Sequence, residues 1–293
     1  AGLTRPILVR TGLVLAWLGA PVARLLPGRL GAMAKMGLIA RPFGFGPRHF
    51  PRPAKPVQRI AIMPGCVQGV LAPQIDAAVG RVLARRGIEL VTLEGAGCCG
   101  ALPHHMGREN DSRAWARKAI MAFEQGTYDG VLITATGCSA QLKDIAQQFA
   151  GDPVWEPRAR KFAAAARDFL DLCTPMTVTP PRALRVVYHP ACSLQNSLKL
   201  NGVSEKLLEA AGFMVLPFQE SHLCCGSAGT YSILQPELSG RLRRRKLGNI
   251  MAANPEVLAS GNIGCLQHLA AAPRKEVGGE LPPILHIAEL LDW

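Results

Sequence analysis

Eight of the nine cysteines in this 293-residue chain fall into two copies of one pattern, and that pattern constrains the fold more than any other feature. Cys66, Cys98 and Cys99 recur as Cys192, Cys224 and Cys225, each 126 residues further on, and Cys138 recurs as Cys265 after 127. Each copy reads C-x31-C-C followed by x38-C or x39-C, the first residue after the pair being Gly. A long internal repeat of this kind implies a duplicated folding unit. Only Cys173 stands outside it, and it reads as a small buried hydrophobe.

Short apolar runs alternate with helical segments in both copies. Strands are expected at 59–64, 88–94 and 129–136, then at 184–190, 213–218 and 256–262. Helices are expected at 73–86, 112–125 and from 139, then at 203–212 and 236–253. The fold class that follows is α/β: two tandem Rossmann-like β-α-β domains from an internal duplication, behind a helical basic N-terminal leader. The expected organisation is a leader and Pro-rich linker over 1–57, a first cysteine-rich domain over 58–154, a connector over 155–181 and a second domain over 182–293. The connector is expected to carry a helix at 158–172, ended by Cys173, Thr174 and Pro175.

In each copy the first cysteine follows the first strand, the Cys-Cys pair follows the second, and the last cysteine follows the third. The carboxyl ends of parallel strands share one edge, so four thiols distant in sequence converge there. A soft, thiolate-rich site suits an iron–sulfur cluster or zinc. Disulfides or inert burial are the competing readings, but adjacent cysteines do not easily bridge each other and independent burial would not repeat the spacing. The expected ligands are Cys66, Cys98, Cys99 and Cys138, with Cys192, Cys224, Cys225 and Cys265 in the second copy. His268, three residues after Cys265, is a candidate to complete the second site. His104, His105, His189 and His222 lie near motif cysteines and read as outer or surface groups. The run Arg241–Lys246 reads either as a solvated helix face or as positive charge placed for a cluster or an acidic partner.

Charge is concentrated at the start. The formal net charge is +12, and residues 1–60 hold ten Lys/Arg and no acid, the first being Asp76. Such a leader suits an anionic membrane surface or an acidic partner; no nucleic-acid role is assigned to it. The apolar stretch Thr11–Ala23 has features of a signal-peptide core, yet the basic, apolar pattern continues beyond it, as in interfacial or subunit-packing helices. Pro21 breaks the stretch, which falls short of the ~20 residues that a membrane span needs. The chain begins at Ala1 and is expected to be a fragment.

The segments "PGC", "GAGCCG", "TGCSAQL", "YHPACSLQ", "HLCCGSAGTYSILQPELSGRLRRRKLGNI" and "NIGCLQHL" resemble the CCG cysteine-rich domain family. That family is shared by heterodisulfide reductases, lactate-utilisation proteins, anaerobic glycerol-3-phosphate dehydrogenases and the iron–sulfur subunits of bacterial glycolate oxidases. The last group is the most similar in pattern. The resemblance implies an electron-transfer subunit of a glycolate-oxidising (glycolate dehydrogenase) complex, with the oxidation to glyoxylate and the FAD residing on a partner subunit. It implies a cytoplasmic chain peripheral to the inner membrane, passing electrons towards a membrane acceptor. Such subunits ordinarily begin with a ferredoxin-like domain whose two C-x2-C-x2-C-x3-C-P runs do not occur here, which again points to a fragment. Relatives with non-cubane clusters close each motif as C-x-x-C, whereas Gln141 and His268 stand at those positions here. Four cysteines per copy remain, enough for a [4Fe-4S] cluster. The rival readings are the same module in a lactate or glycerol-3-phosphate system, a heterodisulfide-reductase-like thiol/disulfide enzyme, and a zinc-binding assembly module without redox function.

Overall fold

In a computed structural model of the chain, the described residues are 4, 6–18, 49–178, 183–277 and 279–293. Much of the expected leader, including residues 19–48, lies outside them, as do residues 179–181 of the expected connector and residue 182. A helix spans Pro6–Leu18 within the leader. Among the described residues no helix is long and apolar enough to cross a membrane.

Two compact units follow, divided between Thr174 and Pro175. The first holds a four-stranded parallel sheet of β1 (Gln58–Ile62), β2 (Ile88–Thr92), β3 (Gly130–Leu132) and β4 (Ala166–Arg167), in the order β2-β1-β3-β4. The second holds β5 (Arg185–Tyr188), β6 (Met214–Val215), β7 (Val257–Ser260) and β8 (Ile284–His286), in the order β6-β5-β7-β8. The two sheets have the same topology, and the α/β class with tandem Rossmann-like domains is what the structure shows. Ile60, Ala61, Ile62, Val131 and Leu132 are all buried, as are Val186, Val187 and Leu258. Continuous apolar strands of this kind need cover on both faces, which parallel sheets receive from their crossover helices.

The helices bury one stripe each. The helix Pro73–Ala84 starts with proline at its first turn and buries Ile75, Val79, Val82 and Leu83. The helix Glu109–Glu124 buries Ala116, Ala119, Ile120 and Phe123. In the second unit Pro236–Ala252 buries Lys246, Leu247 and Ile250.

Residues 155–172, expected to belong to a connector with one helix, instead supply part of the first unit. A helix runs Trp155–Ala165, with Phe162 edge-on to Phe123 at a centroid distance of 5.4 Å. The chain then extends as β4, where Ala166 registers with Val131. Asp168 caps a short 3-10 turn, Phe169–Leu172, in a reciprocal capping box with Asp171. The alanine-rich run favours helix locally, but the open edge of β3 accepts an extended segment and overrides that preference.

Observed strands are shorter than expected at their carboxyl ends. At β3 the chain turns after Leu132, held by the Ser139 hydroxyl donating to the Ile133 carbonyl at 2.8 Å. Pro217, which lacks an N–H, follows the last ladder bond beyond β6, from Leu216 to Val186. These early turns place the cysteines. In both sheets the strand order reverses beside the first strand, β1 or β5, and at such a switch point the carboxyl edge opens a crevice for ligands.

Candidate metal centres

The thiols of the first unit stand at that edge. Cys66 follows β1, Cys98 and Cys99 follow β2, and Cys138 lies in the first turn of the helix Thr136–Lys143 after β3. Cys66, Cys98 and Cys99 are buried and Cys138 is half-buried. The sulfur of Cys98 accepts hydrogen bonds from Cys66 and Cys99, and then from the Gly100 amide at 3.4 Å. These bonds draw the Cys98 thiol down to about 4. The Cys66 thiol is pushed up by its bond to Cys98 and by burial, and that of Cys99 by its bonds to Cys138 and Cys98 and by burial. The four side chains are therefore linked in series, Cys66 to Cys98 to Cys99 to Cys138, although 72 residues separate the first from the last.

The second unit repeats the arrangement. Cys192 opens the helix Cys192–Asn196 after β5, Cys224 and Cys225 follow β6, and Cys265 lies in the helix Ile263–Ala270 after β7. Bonds from Cys192 and Cys225, and then from the Gly226 amide at 3.3 Å, draw Cys224 down to about 2. Cys265 is drawn down to about 5 by Cys225 and then by the adjacent His189 ring. Cys192 is pushed up by its bond to Cys224 and by burial, and Cys225 by Cys224, Cys265 and burial.

The glycine of each Cys-Cys-Gly has a steric reason. Gly100 and Gly226 adopt φ of +83° and +94°, in the left-handed region that favours glycine. A Cβ on Gly226 would stand 2.6 Å from the Ser239 carbonyl oxygen, and one on Gly100 would stand 3.0 Å from the Ser112 hydroxyl. The same serines hold the turns in place. Ser112 donates to the Gly100 carbonyl at 3.0 Å, and Ser239 to the Gly226 carbonyl at 2.7 Å. A helix thus docks on each cysteine turn, which points the following amide back at the first cysteine of the pair.

A set of crowded thiols that share protons fits a thiophilic metal or cluster. The ligating form is the thiolate, and several thiolates buried together need a cation to offset their charge. Iron–sulfur clusters and zinc both meet that need, and burial plus amide N–H donors tune such a centre.

The structure brings all eight expected cysteines into these two groups. It does not bring His268 into the thiolate group. The His268 Nε2 lies 3.2 Å from the Ser239 Oγ. Since the Ser239 proton is committed to Gly226, His268 carries the hydrogen on Nε2 and donates to that oxygen. The histidine that does join the thiols is His189. Its ring nitrogen and the sulfurs of Cys225 and Cys265 lie within 4.8 Å of one another, and all three residues are buried. Gln141, the counterpart of His268 in the first copy, is buried. His104, His105 and His222 are exposed. Cys173 is half-buried, its thiol pushed up to about 12 by burial.

The basic run divides by residue. Arg243 pairs with Glu276 at 3.0 Å and Arg245 pairs with Glu220. Lys246 is 0% exposed and donates to the carbonyls of Glu220 at 2.7 Å and Ser221 at 3.1 Å. Burial lowers it to about 8, partly offset by the charges of Cys225 and Cys224. With Ser112 and Ser239 as equivalent positions, the counterpart of Lys246 in the first copy is Ala119, which is buried. Lys246 and His189 were thus legible as asymmetries between the copies: His189 stands where the first copy has Met63.

The sequence model of the cysteine-rich CCG domain matches residues 60–143 and 186–270, one match in each unit. The chain is 35% identical to the glycolate oxidase iron-sulfur subunit of Escherichia coli K12, over 86% of this chain and 66% of that protein. It is 28% identical to the probable glycolate oxidase iron-sulfur subunit of Bacillus subtilis, over 84% of this chain and 56% of that protein. It is 26% identical to lactate utilization protein A of an Exiguobacterium strain, over 80% of this chain and 96% of that protein. The chain therefore spans under two thirds of the two glycolate oxidase relatives and nearly all of the lactate utilization relative. A solved structure, a hypothetical protein from Helicobacter pylori, shares the fold at a TM-score of 0.56 and 10% identity, over 94% of this chain and 56% of that one. With one Cys-Cys-Gly site at the switch point of each sheet and a family match over each, the chain belongs to the CCG cysteine-rich domain family.

Proposed function

We propose that this chain is the iron–sulfur subunit of a 2-hydroxy-acid dehydrogenase complex, with glycolate as the substrate of the flavin-bearing partner. The observation that carries the proposal is the convergence of eight thiols into two groups of four at the carboxyl edges of two parallel sheets. The names of the relatives support it. Cys66, Cys98, Cys99 and Cys138 would hold one centre, and Cys192, Cys224, Cys225 and Cys265 the other. A [4Fe-4S] cluster at either site would supply one-electron storage.

The chain's own residues hold and insulate such a centre. The Gly100 and Gly226 amides donate to Cys98 and Cys224, spreading negative charge off the thiolates. Buried Cys98, Cys99, Cys225 and Cys265 exclude water from the inner side of each site. Lys246 adds a buried positive charge to the second site. The basic residues of the leader would attract an anionic membrane surface or an acidic subunit on the cytoplasmic side.

The test is anaerobic co-purification of the complex, with iron and acid-labile sulfide measured for wild type, Cys98→Ser and Cys224→Ser. Matched iron and sulfide that fall with each substitution support the reading. Stoichiometric zinc without sulfide would replace it with an assembly module. The similarity to lactate utilization protein A favours one second reading, a lactate-oxidising complex. Reduction of the cysteine-held centres by lactate and not by glycolate would establish that instead.

A further inference from the structure

We propose that His189 is a nitrogen ligand to the metal centre of the second unit, so that the two centres differ in their donors. The proposal rests on the reading that the second cysteine group holds an iron–sulfur centre.

The backbone station is the same in both units. The His189 amide donates to the Ala259 carbonyl at 2.7 Å, and the Met63 amide donates to the matching Leu132 carbonyl at 2.8 Å. Each residue follows its sheet's first strand, and each lies three residues before the first cysteine of its motif. What differs is the side chain. Met63 offers a thioether, whereas His189 offers two ring nitrogens.

Those nitrogens have no partner outside the thiol group. His189 is 1% exposed, and apart from its contact with the Cys265 sulfur neither ring nitrogen has a hydrogen-bond partner. Buried polar groups in folded proteins are nearly always partnered, so an imidazole with nothing but a cysteine sulfur beside its nitrogens asks for an explanation. The explanation is adjacent: its donor atom and the Cys225 and Cys265 sulfurs lie within 4.8 Å of one another. Two donors bound to one metal atom by bonds of about 2.0–2.3 Å lie roughly 3.6 Å apart, so small side-chain rotations bring this trio to ligating distance. His268, the other histidine nearby, already donates to Ser239. The second site therefore has five donors, four sulfurs and one nitrogen, where the first has four thiolates.

One consequence is a ranking of the two centres. A neutral imidazole among thiolates raises the reduction potential of an iron–sulfur site, and the buried Lys246 cation acts in the same direction. The second centre is thus the more easily reduced of the two.

The experiment is pulsed electron paramagnetic resonance on the dithionite-reduced complex, purified anaerobically from cells grown on 15N-labelled histidine. Cys98→Ser is the common background, and iron content is measured on each sample. We expect a ligand-strength 15N coupling that persists in His268→Gln and disappears in His189→Met, while iron in the second unit is retained. Coupling that survives His189→Met overturns the proposal. So does its absence from the His189-containing protein when the second unit holds iron, a result that needs no variant at this position to fold. Loss of all iron in the Cys98→Ser background overturns the underlying reading as well, and the iron measurement tells the two failures apart. As a second readout, redox-poised spectra of the protein with both centres should show the second reduced first, and His189→Met should lower its potential.

Discussion

The hydroxyl of Ser239 donates to the carbonyl of Gly226 at 2.7 Å, tying the helix Pro236–Ala252 to the turn that carries Cys224 and Cys225. Ser112 and Gly100 make the same tie in the first unit at 3.0 Å. The contact leaves no room for a side chain on the glycine, and that explains the third letter of the Cys-Cys-Gly motif.

Gly226→Ala should therefore be more damaging than Ser239→Ala. The hydroxyl deletion leaves a buried carbonyl short of its donor and should cost about 1–3 kcal/mol. The alanine adds a Cβ at 2.6 Å from a backbone oxygen at a left-handed φ, so it should exceed that figure and also reduce metal content. Chemical denaturation and iron analysis of both variants check the order.

Phe162→Ala should destabilise the first unit by about 3–5 kcal/mol, the usual penalty for emptying a buried aromatic site. Phe162 is buried and packs edge-on to Phe123. If residues 155–165 were a mere connector, the change would be nearly silent. Urea unfolding followed by circular dichroism distinguishes the two.

Asp76 makes the stability depend on pH. Its carboxyl accepts from Gln68 at 2.9 Å and Thr134 at 2.8 Å, yet burial outweighs both bonds and raises it to about 6. The folded state thus binds the proton more tightly than the unfolded chain does. This contribution is fully present below the unfolded carboxyl value and is lost as pH rises through about 6. Asp76→Asn cannot titrate, so the stability of wild type relative to this variant should fall by roughly 1–3 kcal/mol between pH 4 and pH 7. Paired denaturation curves at the two pH values measure it.

Stripping the metal should expose an order of thiol reactivity. In the metal-free protein Cys224 is half-buried and drawn down to about 2 by its neighbours, whereas Cys225 is buried and pushed up. Iodoacetamide should modify Cys224 before Cys225, as peptide mass spectrometry would show. Equal rates would mean that the thiol group does not persist without its metal.

Much of the architecture was readable without coordinates. The offset of 126 residues between the two cysteine sets required a duplicated unit, and the apolar runs before each cysteine required strands that end at one edge. Three features were not readable. β4 and β8 have two and three residues, too few to display a period, and they exist because β3 and β7 leave an edge to pair. The helix Trp155–Ala165 was visible as a helix, but its membership of the first unit depends on the meeting of Phe162 and Phe123.

The histidines mark the division most clearly. From its spacing alone, His268 was the candidate partner for Cys265, because three residues along a helix lie on one face. The sequence by itself determined that eight thiols form two sites and that the copies differ at Met63 and His189. The tertiary structure decided which histidine meets the thiols. The pairing of Tyr188 with Ala259 sets β5 beside β7, and so brings the residue after one strand against a cysteine in the helix after the other. That proximity comes from sheet register, a long-range property that no local spacing in the chain encodes.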